Sequence, residues 1–115
     1  SGTYNPTLTD VANTDARTAF NTKWKRVGNV VSVSGKVDID ATVTLTLTQI
    51  RMSLPVASNL AAEQDCCGTF AGYGAQLGLG GPIIADAANN EALFSFSSVS
   101  TANGSFAFIF QYEVL

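Results

Sequence analysis

Apolar and polar residues alternate with period two along most of the chain, the signature of half-buried β-strands. The clearest run is the last. Phe106, Phe108, Phe110, Tyr112 and Val114 fall on one face, and Ala107, Ile109 and Leu115 fall in the opposite phase. Asn103-Gly104 stands just before it and is the preferred dipeptide of a two-residue type I′ turn, so a hairpin is predicted to join this strand to residues 93–99. The aromatic face belongs in a core. The second apolar phase has no use in a monomer with one sheet face to hide, so Ala107, Ile109 and Leu115 are the candidate oligomer contact.

The rest of the chain supplies further strands. Residues 4–9 read as an extended segment with Pro6 confined to an edge or a strand start, and residues 10–18 as a polar loop. Residues 20–27 follow, with Phe20, Thr22 and Trp24 on one face, and Gly28-Asn29 makes a tight turn. Val33, Val37 and Ile39 then oppose Ser32, Ser34, Lys36 and Asp38. Gly35 falls in the apolar phase, which a bend, a bulge or close packing under a large side chain would explain.

Residues 41–54 read as the longest strand, yet the apolar parity changes from Val43, Leu45 and Leu47 to Ile50, Met52 and Leu54. A one-residue slip would turn every side chain over, so a β-bulge near Thr48-Gln49, or a strand crossing between sheets, is predicted there. Pro55 ends the run, and residues 58–64 form an excursion with at most a short helix. The glycines between Gly68 and Gly74 lack the Lys-Ser/Thr ending of a phosphate loop. They let a strand pass close to a neighbour, with Phe70 and Tyr73 inward. Residues 82–87 and 93–99 complete about eight strands with sandwich-like turn spacing. The predicted fold is an all-β, antiparallel two-sheet β-sandwich, jelly-roll-like, spanning residues 1–115 as one domain. Phe94, Phe96, Phe106, Phe108 and Phe110 form its core.

Composition sharpens this picture. Only 13% of the 115 residues are charged and 46% are hydrophobic, so part of the surface is expected to be covered by neighbouring copies or a larger assembly. A net charge of −3 argues against nucleic acid or an anionic membrane as partner. The small basic cluster Lys23, Lys25 and Arg26 is read as the polar face of the strand that holds Trp24. No apolar run approaches the length of a membrane span, no membrane insertion is expected, and no signal peptide is read at the start.

Candidate chemistry is sparse. Histidine is absent, which removes the commonest general base, the Ser-His-Asp triad, the Cys-His pair and most zinc chemistry. Cys66 and Cys67 are adjacent, cannot staple distant segments, and are expected as free thiols. A glycan hydrolase would need two carboxylates about 5 Å apart for retention, or roughly 6.5–9.5 Å for inversion. Glu63 with Asp65, and Asp86 with Glu91, are the pairs that offer this, and each is more simply a solvated loop. Asp38 and Asp40 fall short of the six to eight or so oxygens calcium takes. No catalytic residue, metal or cofactor is expected, and the chain is read as a non-enzyme.

Four segments in order carry a resemblance: Gly2-Thr3-Tyr4-Asn5-Pro6-Thr7-Leu8-Thr9, residues 26–35 from Arg26-Val27-Gly28-Asn29 onward, Ser53-Leu54-Pro55-Val56-Ala57-Ser58-Asn59, and the aromatic strand 106–115. Together they resemble the C-terminal domains of bacteriophage tail-fibre, head-fibre and related receptor-binding structural proteins. The resemblance implies a compact β-sandwich at the tip of a longer fibre protein, a homotrimer in the virion, assembled in the host cytoplasm beside other virion proteins. It also implies loops that bind a bacterial surface glycan or protein receptor. Cys66-Cys67 has no place in that pattern. Rings and amides are what sugars stack on and bond to, so Tyr73, Gln76, Asn89, Asn90 and Glu91 are the candidate ligand-binding loop residues. A purely architectural capsid or tail decoration domain is the alternative.

Overall fold

A computed structural model describes all residues, Ser1–Leu115. Ten strands follow one another: β1 Gly2–Tyr4, β2 Leu8–Ala12, β3 Thr14–Ala19, β4 Thr22–Val27, β5 Val30–Ala41, β6 Leu47–Met52, β7 Cys66–Tyr73, β8 Gly80–Asp86, β9 Glu91–Ser97 and β10 Gly104–Glu113. Two short 3₁₀ turns, Glu63–Asp65 and Gly74–Gln76, are the only helical pieces. The chain is therefore all-β. Every pairing is antiparallel, and hydrogen bonds link all ten strands into one curled sheet, a half-barrel, where two sheets of about eight strands were expected.

The order along the sheet is β1-β4-β5-β10-β7-β8-β9-β6-β2, with β3 also on β5. β5 is long enough to take two outer partners in succession: β4 pairs with Val30–Ser34, and β3 with Val37–Ala41. Gly35 lies between those two stretches. A Cβ there would come within 3.1 Å of Thr22 Oγ1 and 3.3 Å of Phe108 Cζ, so close packing under a large side chain is the reason for this glycine. At the far edge β2 pairs with β6, yet β2 and β3 are one run of chain broken only at Asn13, whose φ is +58°. That single left-handed residue carries the chain from β6 to β5 and so bridges the two sides of the curled sheet.

Inward side chains follow the predicted parity. Val31, Val33, Val37 and Ile39 of β5, Ile50 and Met52 of β6, Phe94 and Phe96 of β9, and Phe106, Phe108, Phe110 and Tyr112 of β10 are all buried. The rings meet across the curl: Phe94 of β9 lies 5.4 Å from Phe108 of β10, although two strands separate them in the sheet. Phe70 packs edge-on against Phe96 and Phe106, at 5.7 and 5.5 Å. Such tilted and edge-to-face pairs stabilise by about 0.5–1.5 kcal/mol each beyond the area they bury.

Several local expectations are overturned. Residues 10–18 form most of β2 and β3 instead of a loop. The parity change in residues 41–54 comes from a turn over 42–46, between β5 and β6, and not from a bulge at Thr48-Gln49; Leu45 takes φ +56° there. Asn103-Gly104 makes no hairpin, because β9 and β10 are not neighbours in the sheet. The segment 98–103 crosses from one to the other, and Gly104 is the buried first residue of β10. Tyr73 is 42% exposed, since on β7 the inward phase is Cys66, Phe70 and Gly72.

Candidate functional site

The antiparallel registers place the candidate residues at two opposite ends of the sheet. β5 ends, β6 begins, β7 ends, β9 ends and β10 begins at one end; the turn joining β8 to β9 lies at the other. Tyr73 and Gln76 belong to the first end, and Asn89, Asn90 and Glu91 to the second. The five residues therefore form no single site.

Asn89, Asn90 and Glu91 do come together with Ser53, Leu54, Ala57, Ser58, Asn59 and Leu115 around an open groove of about 380 Å³. Its floor and wall are built by hydrogen bonds that strap the segment after β6 onto the sheet. Tyr4 donates its hydroxyl to the Ser53 carbonyl at 2.8 Å, and Tyr112 both donates to the Val56 carbonyl and accepts from its N–H. Ser58 Oγ donates to the Glu113 carbonyl at 2.7 Å and accepts from the Leu115 N–H at 3.0 Å. Asn90, at φ +54°, accepts from the Leu60 N–H through Oδ1. Burial of the Tyr4 and Tyr112 hydroxyls pushes both pKa values up, so the phenols stay neutral and can serve as donors.

The Glu91 carboxylate lies 3.1 Å from Arg51 Nε, and Asp86 lies 3.8 Å from the same guanidinium. Arg51 thus lies between both members of the Asp86 and Glu91 carboxylate pair. One member of each other pair is engaged as well: Asp65 Oδ2 accepts from the N–H groups of Ala61 and Ala62, which hold its pKa below the ordinary value, and Asp38 accepts from Ser105 Oγ and Asn103 Nδ2 and faces Lys36 Nζ at 3.8 Å. What the groove offers is hydroxyl, amide and backbone groups around Leu54 and Leu115, a surface suited to holding a polar ligand.

At the opposite end Gln76 is fully buried, with no surface for a ligand to reach. Its Nε2 donates to the carbonyls of Ser100 and Ala102, both at 3.3 Å, while Oε1 has no partner. Tyr73 stands in the open beside Lys36, whose ammonium lies 6.0 Å from its ring and 4.4 Å from that of Phe20. Ala107 and Ile109 point outward from β10, between Lys36 and Ser34 of β5 and Ala71 and Thr69 of β7. Leu115 does not share their face, because β10 stops at Glu113 and the last residue turns into the groove.

Cys66 and Cys67 are free and lie on opposite faces of β7, the first buried and the second exposed. Burial pushes the Cys66 thiol up to about 12. The groove residues Ser53 to Asn59 carried no chemical signal in the sequence beyond short polar side chains and a proline; only the strapping by Tyr4, Tyr112 and Ser58 brings them beside Asn89. Compared with known proteins, the chain matches no family model, no curated protein and no solved structure.

Proposed function

We propose that this chain is a bacteriophage structural and adhesion module, a trimeric fibre tip that holds a bacterial surface molecule, most simply a glycan, in the groove beside Asn89, Asn90 and Glu91. The observation that carries the reading is the outer face of β10, where Ile109 is 56% exposed near the middle of a strand whose other face is wholly core. Its two cross-strand partners are small, Ser34 on one side and Thr69 on the other, and Lys23, Trp24 and Lys25 of β4 line a shallow pocket beside it. Low charge over the whole chain points the same way. In this reading the two sides of the curled sheet act as the packed leaves of a sandwich. Engagement of Asp86 and Glu91 by Arg51 favours binding over hydrolysis.

Light scattering on the purified protein tests the assembly. A mass that is a multiple of three chains is expected, and Ile109→Asp should abolish the factor of three; trimers that survive that charge would remove the β10 face from the interface. Adsorption to bacterial cells tests the adhesion. Saturable adsorption lost in Asn89→Ala/Asn90→Ala supports the groove, whereas no saturable adsorption would leave an architectural decoration domain as the better account.

A further inference from the structure

Of the eleven large hydrophobic side chains that the surface exposes, six lie at the end opposite the groove: the ring of Tyr73 and five aliphatic side chains, Val43, Leu45, Leu47, Leu77 and Val99. The aliphatic ones belong to the 42–46 turn, the start of β6, the segment before β8 and the crossing from β9 to β10, which the registers bring to the same end. Leu45 is 80% exposed and holds φ +56°, a conformation that a leucine adopts only when its surroundings impose it. The surroundings do so through hydrogen bonds. Leu45 N–H donates to the Ser98 carbonyl at 2.6 Å, Ser98 Oγ donates to the Val43 carbonyl at 2.7 Å, and Asn13 clasps Val43 at both its N–H and its carbonyl, each at 2.9 Å. A turn fastened this firmly, with its leucine aimed at solvent, is a built surface and not a frayed loop.

We infer that this apolar end is a second contact between copies of this chain, a two-fold pairing separate from the β10 face. The largest exposed apolar patch of a monomer is often a functional one. The rim suits self-pairing. Asp15, bonded to Thr42 Oγ1, and Arg17, bonded to Thr14 Oγ1, stand two residues apart and have no ion-pair partner within the chain. A two-fold axis sets residue i of one copy against residue j of the other and j against i, so one acid and one base per copy give two complementary pairs.

The mass of the intact protein, measured by light scattering at micromolar concentration and above, reads this contact apart from the trimer. Two or six chains support it, and one or three overturn it; the factor of three alone judges the β10 proposal. Leu45→Asn is the informative variant, because asparagine tolerates a left-handed backbone and the fold should melt no lower than the parent. Halved mass, or self-association weakened about tenfold or more, is expected. Unchanged mass in Leu45→Asn and in Leu47→Asp would overturn the inference, and Ile109→Asp should leave the factor of two in place.

Discussion

Gly104 and Gln76 interlock: a Cβ added to Gly104 would run into the Gln76 side chain, which is itself fully buried and bonded to the carbonyls of Ser100 and Ala102. The glycine at the start of β10 is there for space and not for a turn. Gln76 in turn holds the crossing segment from β9 that delivers the chain to β10.

This pair yields a coupled prediction. Gly104→Ala should destabilise by about 1–3 kcal/mol through overpacking, and Gln76→Ala by a similar amount, since two carbonyls lose their donor. Combined, the two changes should cost clearly less than their sum, because the alanine at 104 fills space that the shortened side chain at 76 vacates. Urea unfolding of the four proteins measures the coupling, and strict additivity would show that the two residues do not compete for one space.

Asn13 combines a left-handed backbone with hydrogen bonds to Val43, Thr48 and Ser98, and it marks the point where β2 hands the chain to β3. Asn13→Gly removes the bonds and keeps the conformation easy, whereas Asn13→Ala loses both. The alanine variant should be less stable than the glycine one by about 1 kcal/mol, the cost of a Cβ in the left-handed region. Denaturant midpoints decide the order, and a more stable alanine variant would mean that φ at this position is not held positive.

The two thiols should differ sharply towards a disulfide reagent such as DTNB. Cys67 is exposed on the outer face of β7 and should react at once, while Cys66 is buried with its pKa pushed up to about 12 and should react only when the protein unfolds. One fast equivalent in the native protein and two in denaturant is the expected titration. Cys67→Ser should abolish the fast phase alone.

Alkaline pH should destabilise the fold. Tyr4, Tyr112 and Cys66 all carry raised pKa values because burial disfavours their anions. A group with a raised folded pKa contributes stability that is complete below its unfolded pKa and is lost as pH climbs towards the folded one. The unfolded values are 9.0 for the thiol and 10.0 for the phenols, so stability should decline from about pH 9 upward. Melting temperatures across this range, with Tyr4→Phe losing part of the slope, provide the check. At the acid end Asp65 acts with the opposite sign, its stabilising hydrogen bonds being lost as pH falls through its lowered pKa.

Much of the fold was legible because strand periodicity is a local property. Whether Phe108 or Ile109 points inward depends only on the alternation around it, and the buried phases of β5, β9 and β10 follow that reading. Gly35 was legible as a special position in the apolar phase, but only the approach of Thr22 and Phe108 decides for close packing over a bend or a bulge. Of the candidate loop residues, Asn89, Asn90 and Glu91 share a groove, whereas Gln76 is buried and Tyr73 lies at the other end. Nothing local distinguishes the amide of Gln76 from that of Asn89. The difference arises because the carbonyls of Ser100 and Ala102 close over one of them.

By itself, then, the sequence determined an all-β chain, the inward and outward phases of β5, β9 and β10, and the lack of imidazole chemistry. Only the tertiary structure decided which strands pair, that β9 and β10 are apart in the sheet, and that β2 and β3 bridge β6 and β5 through Asn13. It also decided which polar loops meet at the groove and which aliphatic residues stay exposed at the opposite end. The physical reason is range: periodicity and residue preference act over a few neighbours, whereas Gly104 owes its identity to a side chain 28 positions away in the sequence that happens to fill the same space.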